Sequence, residues 1–97
     1  MKAEEIKELR KRMGLSQNEF GHLFAVTGSV VTLWEKGVRV PDRFKAISMI
    51  QLKEKLDKEK IGLNNLSIYE QNRKEEIRKM LLLGGALAVL VWVFSKE

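Results

Sequence analysis

From Met80 to Phe94 the chain runs for fifteen residues without one charged side chain: Met80-Leu81-Leu82-Leu83-Gly84-Gly85-Ala86-Leu87-Ala88-Val89-Leu90-Val91-Trp92-Val93-Phe94. A surface helix keeps one polar face, and this stretch has none. In a chain of 97 residues the rest can build one small bundle at most. Such a bundle cannot cover every side of an apolar helix, and soluble monomers rarely leave so large a patch open. The run must therefore meet a bilayer, another chain or its own domain.

As a helix the run measures about 22 Å, short of a hydrocarbon core of about 30 Å. Ile77 and Ser95 can extend it if Arg78, Lys79 and Lys96 reach back to the interfaces. Trp92 and Phe94 suit an interfacial belt, and Arg73, Lys74, Arg78 and Lys79 on the N-terminal flank would hold the front at the cytoplasmic face. Gly84 and Ala88, with Gly85 beside them, form a small-residue face of the kind that lets membrane helices pair. The expectation is a transmembrane anchor within 80–97. A soluble oligomerisation helix and a helix packed on its own domain are the alternatives.

Charge points the same way as far as anions go. There are 18 Lys and Arg against 13 Asp and Glu, a net +5. All of it lies in residues 1–79, while 80–97 is balanced. This favours an anionic partner such as nucleic acid or a lipid surface. The absence of cysteine excludes disulfides, cysteine-based zinc sites and cysteine nucleophiles. His22 stands alone and cannot build a histidine metal site; a surface position is expected for it. The single proline and few β-branched runs argue against a β fold. No constellation of catalytic side chains is present, so the expectation is a non-enzyme without cofactor or metal. The N-terminus is charged from Lys2 onward and lacks the apolar region of a secretory signal, which places the front in the cytoplasm.

The spacing of apolar residues predicts short helices. Ile6, Leu9 and Met13 make one stripe over 3–13, with acids first, bases last and Gly14 as the stop. Ser16 and Glu19 form a capping box opening a second helix whose inner residues are Phe20, Leu23 and Phe24. A break at Thr27 or Gly28 precedes a third helix over about 29–36, with Val30, Val31 and Trp34 inward and Gly37 at its end. A longer helix is expected from Asp42 to about Lys60, with Phe44, Ile47, Met49 or Ile50, Leu52 and Leu56 inward. Residues 62–65 read as a break, and 67–79 as a polar connector helix.

Two short helices joined by a tight turn suggest a helix-turn-helix. The residues Leu15-Ser16-Gln17-x-Glu19-Phe20-Gly21, Val26-Thr27-Gly28-Ser29-Val30-Val31 and Trp34-Glu35-Lys36-Gly37-Val38-Arg39-Val40-Pro41 resemble the phage-repressor and Cro type of helix-turn-helix domain. The likeness covers about residues 3–57. It implies an all-α fold: a four- or five-helix lambda-repressor-like bundle over 1–60, followed by the connector over 61–79 and the apolar helix over 80–97.

The resemblance also implies roles. Gly28, Ser29, Thr32 and Leu33 take the positions that face base edges in the major groove. Ser16, Gln17, Lys36, Arg39 and Arg43 take the positions that meet phosphates. Arg10 and Glu35 take positions where the family places a structural ion pair. The chain departs from a strong DNA reader, because its base-facing positions lack the Arg, Lys, Asn or Gln that bond purines bidentately. Three functions stay open. The domain binds double-stranded DNA, largely through phosphates and shape, as a transcriptional regulator or DNA tether held at the cytoplasmic face of a membrane. Alternatively, its third helix contacts a protein in a membrane-associated assembly, or the chain is a soluble cytoplasmic repressor dimerised through its tail. Family members of this type usually read two half-sites as a homodimer.

Overall fold

Among the described residues, three short helices and two long ones, the last of them kinked, arise from local signals that are mostly plain in the chain. The computed structural model describes the backbone of residues 1–61 and 67–94, and the side chains of 1–58, 75, 76 and 78–94. The expected break at 62–65, the flanking cations Arg73, Lys74 and Lys96, and Ile77 and Ser95 lie outside those described side chains. All regular elements among the described residues are helical: α1 (Ala3–Arg12), α2 (Gln17–Leu23), α3 (Gly28–Glu35), α4 (Arg43–Ile61) and α5 (Ser67–Val93).

Each of the first four starts on a satisfied cap. The Glu5 carboxylate accepts from Lys2 N–H at 3.0 Å. Ser16 and Glu19 bond each other's backbone N–H at 3.1 and 2.9 Å, and Asp42 accepts from Lys45 N–H at 2.9 Å. Thr27 caps α3, so that helix begins at Gly28, one residue earlier than the spacing predicts. The turn between α2 and α3 bends at Ala25, whose φ is 58°. A left-handed alanine is strained where glycine would be at ease. Gly21 sits where a Cβ would come within 2.6 Å of the Val26 carbonyl oxygen, so the small residue lets the turn fold tightly against α2.

Ile6 and Leu9 of α1, Leu15, Phe20, Leu23 and Phe24, Val31 and Trp34 of α3, and Met49, Leu52 and Leu56 of α4 form the core. Val30 is only partly buried. The α4 stripe differs from the predicted one: Phe44, Ile47 and Ile50 are exposed, and the buried line runs Ser48, Met49, Leu52 and Leu56. Ser48 is tolerated there because its hydroxyl donates to the Phe44 carbonyl at 3.0 Å. Phe44 lines a cavity of about 140 Å³ between α2, α4 and α5 instead of filling the core.

The tail joins this core. Leu81, Val89 and Val93 of α5 are buried among the residues of α1–α4. The helix passes from the polar segment into the apolar one without a break at 79–80, and it bends at Gly85 (φ 58°, ψ −141°). That conformation is open almost only to glycine. Gly85 is buried against the imidazole of His22, whose Nε2 lies 2.9 Å from the Leu82 carbonyl oxygen. Among the described residues, no helix is long and apolar enough to cross a membrane. The apolar part is too short, and the upstream half of α5 is charged.

Candidate nucleic-acid interface

The ends of α1, α2 and α3 meet in a polar cluster. Arg10 grips Glu35 with two hydrogen bonds, Nε to Oε2 at 2.6 Å and Nη2 to Oε1 at 3.0 Å. Its third donor reaches the Leu15 carbonyl at 3.0 Å. The two side chains are 14% and 5% exposed, which makes this a largely sheltered bidentate pair. Burial pushes the Glu35 carboxyl up, but the hydrogen bonds from Arg10 and Gln17 outweigh it and hold the group below its ordinary value.

Gln17 and Thr32 belong to the same network. Gln17 Nε2 donates to Glu35 Oε1 at 3.3 Å. The Thr32 hydroxyl lies 2.8 Å from Gln17 Oε1 and 3.0 Å from the Gly28 carbonyl. Gln17, placed by resemblance against phosphate, and Thr32, placed against bases, are thus occupied in joining α2 to α3. Gly28 is buried, with the Asn18 side chain lying where a Cβ would go. Its atoms do not contribute to an open surface. Of the residues expected to face bases, Ser29 is exposed and Leu33 half-exposed. Ser16 is committed to the capping box.

Lys36 and Arg39, in the segment linking α3 to α4, and Arg43, the first residue of α4, are exposed. The two carboxylates of that stretch are spoken for. Glu35 is held by Arg10, and Asp42 pairs with Lys45 at 2.7 Å. Among the described residues, no carboxylate engages Lys36, Arg39 or Arg43. These three cations fall within eight residues of one another in the sequence. Val38 and Val40, between them, are also exposed.

The tail residues take other places than those expected of a membrane helix pair. Gly85 is covered by His22, and Ala88 is half-buried against the core. Trp92 is half-buried, with the Lys55 ammonium 5.2 Å from its ring centre. Gly84 is exposed. The small-residue face is thus largely spent on this chain's own helices. No group of metal-binding side chains is found among the described residues.

Comparison with protein-family models, with curated proteins and with solved structures finds no match to this chain.

Proposed function

We propose that α1–α4 form a DNA-binding head of the phage-repressor type, acting as a transcriptional regulator or DNA tether, and that α5 attaches it to the cytoplasmic face of a membrane. One observation supports the DNA reading: exposed Lys36, Arg39 and Arg43 lie within eight residues, and among the described residues no carboxylate pairs with them. Phosphate contacts of this kind fix position and supply affinity but carry no sequence information. Ser29 and Leu33 offer one hydroxyl and one apolar contact on the open side of α3. Binding should therefore be salt-sensitive and only modestly selective.

The test is binding of the full chain to duplex DNA over a salt series. The full chain is needed because α5 contributes to the core of the head. Absence of binding even at low salt would remove the DNA reading. It would promote a second one, supported by the exposed Val38 and Val40 beside Leu33: a head whose α3–α4 edge contacts a protein.

A further inference from the structure

We infer that the outer face of α4 pairs with the same face of a second copy of this chain, the two helices antiparallel about a two-fold axis. Helix α4 runs from Arg43 to Ile61. Its buried line, Ser48, Met49, Leu52 and Leu56, faces the core. On the opposite side Arg43, Ile47, Ile50 and Glu54 recur at intervals of four, three and four residues, which sets them in one row about 17 Å long. All four are exposed, and the two isoleucines are each 41% open.

The order of this row selects its occupant. Ile47 and Ile50 lie equally far from its midpoint, and so do Arg43 and Glu54. Laid antiparallel on itself, the row sets Ile47 against the partner's Ile50 and Arg43 against the partner's Glu54, and each contact occurs twice. A two-fold interface requires this self-complementarity. Among the described residues, no carboxylate pairs with Arg43 and no cation with Glu54. Their charged neighbours are matched: Lys53 lies 3.8 Å from Glu5, and Arg12 lies 2.6 Å from Asp57. The row thus adds one charge of each sign, so a chain of net +5 can approach its own copy here.

The surface around Glu54 has room for the incoming guanidinium. A cavity of about 360 Å³ opens there, lined by Met1, Glu5, Ile50, Lys53, Glu54 and Asp57. Of its three acids, Glu54 is the one without a matching cation among the described residues. Two isoleucines per chain make a small interface, so association is weak and reversible, with the end charges fixing the register. Arg43 also belongs to the proposed DNA edge, so pairing and phosphate contact compete for it.

Self-association is read by sedimentation equilibrium of the full chain at low salt and without DNA, so that it can fail while the DNA reading stands. The expected result is a reversible dimer. Arg43→Glu or Glu54→Arg alone places like charges at both ends of the interface and should weaken it at least about tenfold. The melting temperature should not change, because both side chains are exposed. An equimolar mixture of the two variants should associate as a mixed pair, since every end contact again joins opposite charges. Arg43→Glu plus Glu54→Arg in one chain should restore self-pairing. A chain that stays monomeric at every concentration, or variants that do not pair when mixed, would overturn the inference. So would a dimer that survives both single reversals and is lost with Leu87→Glu, which would place the interface on the exposed side of α5.

Discussion

Arg10 and Glu35 show how much a single pair can carry in so small a core. Both ends of the fork are satisfied, and Glu35 is further held by Gln17. Arg10→Ala would leave a sheltered carboxylate without its cation, at a cost of about 3 kcal/mol, measurable by urea denaturation. The same pair sets an acid limit. Glu35 is held below its ordinary value of 4.5 in the folded chain. A depressed folded value means stability that is fully present above the unfolded value and is lost as pH falls through the folded one. Glu19 is lowered first by the Ser16 backbone N–H and Asp42 first by the Lys45 side chain. Stability should therefore be flat from neutral pH down to about 5 and fall below it. Chemical denaturation across that range tests the point, and unchanged stability at pH 3 would contradict it. The polar cluster was only partly legible in the sequence. Arg10 and Glu35 are twenty-five positions apart, and resemblance alone brought them together. The commitment of Gln17 and Thr32 to each other depends on how α2 crosses α3, which no local pattern encodes.

Helices α1 to α4 were legible because caps, glycines and apolar spacing agree along each of them. The exceptions have physical causes. Ala25 turns the chain in a left-handed conformation that its side chain gives no hint of. The inner line of α4 could not be chosen correctly between neighbouring apolar residues until its partner was known, and that partner includes α5. An all-round apolar helix does not announce which side it will bury. The bend at Gly85 decides this for α5, since it lets Leu81 and Val89, on either side of the bend, face the same core. Gly85→Ala would force a Cβ into a glycine-only conformation 3.0 Å from the His22 ring. The expected cost to docking is about 1–3 kcal/mol. Faster amide exchange in 86–93, with α1–α3 still protected, would report it; unchanged exchange would show that the bend does not hold the tail.

At the scale of the molecule, two surfaces with different chemistry project from one core. The α3–α4 edge offers Lys36, Arg39 and Arg43 with Val38 and Val40 exposed between them, and on our proposal the cations meet the phosphates of a duplex. The outer side of α5 offers Leu83, Leu87, Val91 and Phe94, all exposed and apolar. On our proposal the first surface binds DNA through Lys36, Arg39 and Arg43. Its most direct test is the salt dependence of duplex binding by the full chain against the Arg39→Ala plus Arg43→Ala variant. Three phosphate contacts per head predict a slope of log affinity against log salt of about −2.7, reduced to about −0.9 in the variant, with a similar loss on every duplex sequence. Equal slopes for the two proteins, or no binding by either at low salt, would rule out DNA binding through these three cations.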